Sequence, residues 1–193
     1  MKFWILALVL LLVGCTNQIV VLDDKQNVVG LLNATIVEGE CKWEFGEGGA
    51  WLPDPDCSPG SHFPYMNLQI NGKYVQDPGG AIVGDICVPG YTKNVRDVSQ
   101  KTKNKVYEMY GVVSHQTGEW EMDHIIPLTL GGDNEITNLY PQPLLPKPGF
   151  RQKDRCEVCL NKKVCNGEIS LIDAHDLMTR NWTRCLKICG VEY

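Results

Sequence analysis

Residues 122–143 bring together side chains whose types and spacing could carry out hydrolysis. Asp123 and His124 are adjacent, a Gly-Gly pair follows at residues 131–132, and Asn138 opens the sequence Asn-Leu-x-Pro. A hard divalent cation prefers carboxylate oxygen, and histidine titrates close enough to neutral pH to take a proton from water. The adjacent pair therefore predicts metal-assisted hydrolysis, provided that the fold directs both side chains into one site.

A hairpin and a helix are the elements that must position these residues. The alternating sequence at residues 119–122 predicts a strand that runs directly into Asp123 and His124, and residues 138–140 predict its partner. The run 150–164 predicts a helix packed across this hairpin.

Asp123 and His124 can share a site only under a condition, because neighbouring side chains of a strand point to opposite faces. The strand must end or bulge at this point. Pro127, three residues after His124, disfavours regular strand pairing beyond it.

The order Asp-His-Ile-Ile-Pro-Leu, Gly-Gly and Asn-Leu-x-Pro resembles that of HNH endonucleases, which are ββα-metal nucleases. The resemblance covers residues 85–182 and takes in Cys-Val-Pro-Gly-Tyr-Thr at residues 87–92 and Lys-Asp at residues 153–154. It implies an α+β fold with a ββα hairpin-plus-helix core and flanking helices. It also implies a metal-dependent endonuclease that hydrolyses phosphodiester bonds of DNA or RNA. Residues 16–84 lie outside the resemblance.

The resemblance implies a role for each motif residue. Asp123 would bind a divalent cation, usually Mg²⁺, and His124 would be the general base that deprotonates water. Asn138, grouped with the catalytic residues, would brace the hairpin through hydrogen bonds from its side chain to the backbone.

The third residue of the family motif, a histidine on the helix, is absent from residues 144–164. Asp154 is the predicted second metal ligand, because Lys153-Asp154 resembles a branch of the family that also lacks this histidine. A site of two carboxylates and waters would suit Mg²⁺ better than zinc. If the helix does not direct Asp154 towards Asp123, the alternative is a catalytically inactive HNH-fold lipoprotein that acts as a binding module.

The charge distribution indicates which part of the chain could meet nucleic acid. Residues 16–90 contain 3 basic and 10 acidic side chains, whereas residues 91–193 contain 14 basic and 13 acidic ones. Residues 93–105 are locally basic, although a lysine-rich helix face is more often merely solvated. The predicted contacts with the phosphate backbone are Arg96, Lys101, Arg151 and Lys153. No base-reading module is recognisable, so we expect little sequence specificity.

The first fifteen residues have the pattern of a signal peptide, with Lys2, an apolar run and Leu-Val-Gly-Cys at residues 12–15. This ending resembles a bacterial lipobox, which would make Cys15 the acylated first residue of the mature chain; the alternative is an ordinary secretory signal. We expect a protein of the bacterial cell envelope, anchored to a membrane by lipid and facing the periplasm or the exterior. The predicted organisation is a signal peptide at 1–15, a β-rich region of unknown role at 16–84 and an HNH-like domain at 85–193.

Eight cysteines remain beyond Cys15, and an even number in an exported chain predicts disulfides. Cys156 and Cys159 are spaced i, i+3, and Cys185 and Cys189 are spaced i, i+4, so each pair would share one face of a helix. Two such helices could be cross-linked twice. The same four thiols could instead hold a tetrahedral zinc ion.

The remaining patterns predict a small β-rich, cysteine-containing segment before a more helical second half. Residues 19–22 and 28–32 predict two strands around a polar turn, and residues 46–84 predict loops and short strands. Helices are predicted at 95–110 and from Leu171 to about Trp182, the second opened by Ser170 and Asp173 as a capping box.

Overall fold

The computed structural model describes residues 18–22, 28–63, 67–70, 73–76 and 83–193, with side chains from 34–63 and 85–193. Helices and small antiparallel sheets are both present, so the fold is α+β, as predicted. The strands are β1 (Gln18–Leu22), β2 (Val28–Ile36), β3 (Glu44–Phe45), β4 (Trp51–Leu52), β5 (Asn67–Ile70), β6 (Lys73–Gln76), β7 (Val112–His115), β8 (Trp120–His124) and β9 (Leu139–Pro143). The helices are α1 (Val83–Ile86), α2 (Tyr91–Val95), α3 (Gln100–Met109), α4 (Phe150–Cys165), α5 (Leu171–Asn181) and α6 (Arg184–Cys189).

The two strands predicted near the N-terminus are confirmed, and they belong to a larger sheet. β1 and β2 pair antiparallel, and the polar turn between them lies outside the described residues. β2 also pairs with β7, where Ala34 faces His115 and Thr35 faces Ser114. The early segment is therefore joined by strand pairing to the chain that follows α3.

The hairpin predicted around Asp123 and His124 is formed by β8 and β9. The two strands are antiparallel, with Asp123 opposite Tyr140 and His124 opposite Leu139. The connection turns back at Gly132, where any side chain would overlap the carbonyl oxygen of Ile126. Only glycine allows this close approach of two backbone segments.

The helix predicted at 150–164 is confirmed as α4. Its buried residues recur every three or four positions and so lie on one face, which packs against β8 and α6. These buried residues are Phe150, Gln152, Lys153, Cys156, Leu160 and Val164.

The prediction for α5 is confirmed within one residue, and the side chain of Ser170 accepts a hydrogen bond from the backbone N of Asp173 as expected. The helix predicted over 95–110 is confirmed from Gln100 to Met109 as α3, but it begins five residues later than predicted. Ser99 explains the later start: its hydroxyl accepts a hydrogen bond from the backbone N of Thr102 and caps α3. A capping serine favours extended backbone at its own position, so the helix begins after it.

Two buried clusters hold the hairpin and the helices in place. The first surrounds Trp182 and joins α4, α5 and α6. The second is aromatic: Trp51 packs edge-to-face on Trp120, and Trp43 lies 4.7 Å from the ring centre of Tyr110. The second cluster fixes the start of β8 against the segment that precedes residue 63.

Disulfides are present, as the cysteine count predicted. They join Cys41 to Cys57, Cys87 to Cys165 and Cys159 to Cys189, and Cys156 and Cys185 are free thiols. The helices α4 and α6 are thus cross-linked once in this structure. In the described part of the chain, none of the helices has the length and apolar character needed to cross a bilayer.

Candidate functional site

Asp123 and His124 are the last two residues of β8. β8 stops at His124, and the next backbone N, that of Ile125, donates to the carbonyl oxygen of Asn138. The carboxylate of Asp123 turns back on its own chain, and its Oδ1 accepts a hydrogen bond of 2.7 Å from the backbone N of His124. The negative charge of Asp123 also acts on the imidazole of His124, so the two groups are electrostatically coupled.

Asn138 makes the contacts of a structural brace. Its Oδ1 accepts hydrogen bonds from the backbone N of Ile126 at 2.9 Å and of Ser61 at 3.2 Å. Its Nδ2 donates to the carbonyl oxygens of Ile126 at 3.0 Å and Asp133 at 2.9 Å. Because the side chain is 0% exposed, no water would replace these bonds if they were lost.

Replacing Asn138 with alanine is expected to lower the free energy of unfolding by about 2–3 kcal/mol, since buried backbone groups would lose their partners. Urea denaturation under non-reducing conditions measures the change. Asn104→Ala, at an exposed position on α3, is the matched control and should change stability by less than about 0.5 kcal/mol. Equal effects of the two substitutions would contradict the bracing role.

The imidazole of His124 is buried and held in one orientation. It is 3% exposed, and its Nε2 lies 3.3 Å from Oδ1 of Asn134. The amide of Asn134 is itself fixed, because its Nδ2 donates a 2.7 Å hydrogen bond to the carbonyl oxygen of Val95. With an acceptor oxygen facing it, Nε2 carries the proton of the neutral ring, and Nδ1 is left as the basic nitrogen.

Burial keeps His124 neutral. It lowers the pKa of His124 to about 4, although the negative charge of Asp123 opposes this shift. The ring is therefore unprotonated at neutral pH, which is the state that a general base needs.

The lowered pKa of His124 predicts a pH-dependent stability. Between pH 6.5 and about 4 the unfolded chain binds a proton at this residue and the folded chain does not, so protonation favours unfolding. The stabilising contribution is complete above pH 6.5 and is lost as the pH falls towards 4, by about 3 kcal/mol in total. We therefore expect the stability advantage of the wild type over His124→Gln to shrink by about 3 kcal/mol from pH 7 to pH 4.

The comparison with His124→Gln is needed because Glu157 acts in the opposite direction. Burial raises the pKa of Glu157 to about 7, so its contribution favours the folded state at low pH. Denaturation curves of both proteins across this range isolate the histidine. A stability difference independent of pH would contradict a buried neutral His124.

A buried lysine binds the same end of β8. Nζ of Lys153 donates to Oδ2 of Asp123 at 2.8 Å, to the carbonyl oxygen of His124 at 2.7 Å and to Oε1 of Glu157 at 2.5 Å. Lys153 is 0% exposed. Its ammonium thus satisfies its three donors inside the protein and fixes α4 to the residues at the end of β8.

Asp123 and Glu157 share the ammonium of Lys153, and this sharing affects the pKa values of Lys153 and Glu157. Burial opposes the charge of Lys153, but Asp123 and Glu157 together raise the pKa of the ammonium above its usual range. Lys153 therefore stays protonated. Burial, reinforced by the charge of Asp123, outweighs the lysine in raising the pKa of Glu157.

Three carboxylates of this region act on one another. Burial, followed by the charges of Asp154 and Asp123, raises the pKa of Glu121 on β8. Burial and the charge of Asp123 likewise raise the pKa of Asp154 on α4. The predicted metal ligands Asp123 and Asp154 are thus electrostatically coupled.

Three of the four predicted phosphate contacts belong to this region, and two of those three are exposed. Arg96 and Arg151 are exposed, and both act to lower the pKa of Glu121 and of Asp154. Lys101 lies on the exposed face of α3 and is not among the charges that shift these carboxylates. The burial of Lys153 does not fit its prediction as a phosphate contact, because its ammonium is already bound to protein oxygens.

A hydrated Mg²⁺ ion needs fewer protein ligands than a fully protein-bound metal does. Within the described residues, no three His, Cys, Asp or Glu side chains are grouped so that they could hold a metal ion. Mg²⁺ is commonly bound by one or two carboxylates and keeps several waters. Each oxygen of Asp123 accepts a single hydrogen bond from the residues described above and retains a further lone pair. The carboxylate of Asp123 is therefore not saturated by these two hydrogen bonds.

Sequence reasoning missed two residues of this region, and one of them left a signal. Glu121 is two residues before Asp123 and so shares its strand face, which alternation alone could have shown. Glu157 was among the residues that the helix offered as a metal ligand beside Asp154, but it lies four residues after Lys153 and pairs with that lysine instead. Asn134, which orients His124 from the connecting loop, had no local pattern to identify it.

Cys15, the predicted lipid attachment site, lies outside the described residues. Comparison with known proteins gives no match, whether to a family model, to a curated protein or to a solved structure.

Proposed function

We propose that this chain is a metal-dependent endonuclease of the HNH type, which hydrolyses phosphodiester bonds of DNA with little sequence specificity. The observation that carries the proposal is the neutral, oriented imidazole of His124 beside the carboxylate of Asp123, at the end of β8. Asp154, on the helix that packs against this strand, is coupled to Asp123 through its charge.

His124 would act as the general base. Its Nδ1 would take a proton from a water molecule as the oxygen of that water attacks phosphorus in line with the departing 3′ oxygen. Asn134 supports this role because it holds the proton on Nε2 and so keeps Nδ1 basic. A low pKa leaves the base unprotonated across the physiological pH range.

Asp123 and Asp154 would hold a divalent cation, with Mg²⁺ as the expected ion. When bound, this ion would neutralise negative charge that develops on the phosphate and on the departing oxygen. Lys153 and the backbone N of His124 keep the carboxylate of Asp123 in a fixed orientation.

Arg96 and Arg151 are exposed, and their charges act to lower the pKa of Glu121 and Asp154. These two guanidinium groups would bind the phosphate oxygens of the nucleic-acid backbone. Phosphate is common to every sequence and to both DNA and RNA, so such contacts do not select a base. We propose DNA as the substrate, with RNA as the comparison.

A catalytically inactive binding module is the second candidate, and one observation favours it. The ammonium of Lys153 already neutralises Asp123 and makes three hydrogen bonds. The negative charge at the end of β8 is therefore balanced by a cation of the protein itself, without a metal ion. Under this alternative the chain binds nucleic acid through Arg96 and Arg151 without turnover.

For its location we propose the bacterial cell envelope, with a lipid on Cys15 as the membrane anchor. The lipobox-like sequence at residues 12–15 and the three disulfides support an oxidising compartment.

Incubation of the purified protein with supercoiled plasmid tests the proposal. With Mg²⁺ we expect nicked and then linear DNA, and with excess chelator we expect none. Asp154→Asn should weaken cleavage and increase the Mg²⁺ concentration required, whereas Asp176→Asn, an exposed aspartate on α5, should behave as the wild type. Binding of plasmid without cleavage under any divalent cation would support the inactive module instead.

A further inference from the structure

The sulfur atoms of four cysteines lie between α4 and α6: Cys156 and Cys159 on α4, and Cys185 and Cys189 on α6. Cys159 and Cys189 form a disulfide that joins the two helices. Sγ of Cys185 lies 3.4 Å from Sγ of Cys189, and the Cys185 thiol also makes a hydrogen bond with Cys156. Cys156 and Cys185 are both 0% exposed and carry free thiols.

The positions of the four cysteines match two cross-links between one pair of helices. Cys156 and Cys159 are three residues apart on α4, and Cys185 and Cys189 are four apart on α6. Residues at these spacings lie on one helix face, about one turn apart. The Cys159–Cys189 disulfide fixes these two helix faces against each other. Cys156 and Cys185, which each lie one turn earlier in their helices, are therefore also in contact.

We propose that Cys156 and Cys185 form a fourth disulfide, so that α4 and α6 are joined by two adjacent cross-links. Cys156 is three residues after Lys153, so this bond fixes the turn of α4 that carries the buried ammonium.

The bond forms while α6 packs onto α4, before the two thiols become buried. In the folded chain, the hydrogen bond with Cys156, together with burial, raises the pKa of the Cys185 thiol above its usual range. A thiol that is neutral and buried reacts slowly, because the thiolate is the attacking species. In the unfolded chain both cysteines are accessible.

The oxidant is a small or protein disulfide, for example oxidised glutathione. One cysteine thiolate attacks this disulfide, forms a mixed disulfide and releases one glutathione thiolate. The second cysteine thiolate then attacks the protein sulfur of the mixed disulfide and releases the second glutathione. Two protein thiols are oxidised, one glutathione disulfide is reduced, and the two protons pass to the released thiolates.

A zinc ion held by the same four sulfurs is the competing arrangement. It requires four thiolates, whereas two of these sulfurs are already bonded to each other. The two arrangements differ in the number of cysteines that can be alkylated after denaturation.

Mass spectrometry of the full chain tests the proposal. The reduced, denatured protein is refolded in a mixture of reduced and oxidised glutathione, then denatured without reductant in the presence of iodoacetamide. Cleavage after lysine and glutamate places each cysteine on its own fragment, namely residues 154–157, 158–162, 169–187 and 188–192. We expect fragment 154–157 linked to 169–187, and fragment 158–162 linked to 188–192.

Cys185→Ser is the control, and it should make Cys156 alkylatable while fragments 158–162 and 188–192 stay linked. In the wild type, alkylation of both Cys156 and Cys185 with the Cys159–Cys189 bond intact would overturn the proposal. One tightly bound zinc, with all four cysteines alkylated, would overturn it as well. Neither result bears on cleavage of nucleic acid, so the proposed function is tested separately.

Discussion

Replacing His124 with alanine is expected to lower the rate of plasmid cleavage by about 10²–10⁴-fold, because that is the usual contribution of a general base. The buried imidazole is neutral at the pH of the assay, and Asn134 leaves its Nδ1 as the basic nitrogen. The other described imidazoles have ring partners of their own, since His62 and His175 stack on each other and His115 stacks on Tyr107. The rate is measured as conversion of supercoiled plasmid with saturating Mg²⁺.

The control for this substitution is His115→Ala, which removes an exposed imidazole on β7 and should leave the rate unchanged. Circular dichroism and urea denaturation establish that both variants are folded. The pH profile adds a second test, since the acidic limb of kcat/KM should lie well below pH 6.5. An unchanged rate in folded His124→Ala would remove this residue from the mechanism.

Replacing Lys153 with methionine is expected to lower the free energy of unfolding by about 3–5 kcal/mol, the usual effect of removing one partner from a buried ion pair. Methionine fills a similar volume, so the main loss is the ammonium and its three hydrogen bonds. Asp123 and Glu157, with side chains only 16% and 15% exposed, would lose their shared cation, and Glu157, whose pKa is about 7 even beside Lys153, would be forced to take up a proton. Urea denaturation at pH 7 under non-reducing conditions measures the loss.

The double variant Lys153→Met/Glu157→Gln separates this cause from simple loss of packing. It replaces the buried carboxyl that would otherwise have to take up a proton, so it should recover part of the stability that Lys153→Met loses. Lys101→Met, at an exposed position on α3, is the surface control and should change stability by less than about 0.5 kcal/mol. A loss below about 1 kcal/mol for Lys153→Met would show that the ammonium is not needed at the end of β8.

The hairpin and α4 were predictable because their patterns are local. Alternation before Asp123 predicted β8, and the run that begins at Phe150 predicted α4 almost to its last residue. Pro127 indicated correctly that strand pairing would not continue. These signals depend on near neighbours in the chain, which a single sequence shows directly.

The contacts that were missed depend on partners far apart in the sequence. The pairing of β2 with β7 joins residues about eighty positions apart, and nothing in either strand specifies the other. The burial of Lys153 depends on which face of α4 meets β8, so composition suggested a surface cation instead. The start of α3 had a local cause in Ser99, but the apolar residues Val95 and Val98 before it favoured an earlier start.

For the cysteines, the presence of disulfides was predictable from the sequence, but their pairing was not. Their even number predicted disulfides, and the described structure contains them. Which cysteines pair depends on how the helices pack, because Cys87 and Cys165 are 78 residues apart. The spacing on α4 and α6 correctly indicated two faces rich in sulfur.

Turnover on DNA is the property that separates an endonuclease from a binding module most directly. The measurement is the number of phosphodiester bonds cleaved per molecule of wild-type protein, with excess plasmid and Mg²⁺ and with a chelated control. We predict many cleavages per molecule, products with 5′-phosphate and 3′-hydroxyl ends, and none after chelation. Folded protein that binds the plasmid but cleaves no bond with Mg²⁺ or any other divalent cation would contradict the proposed function.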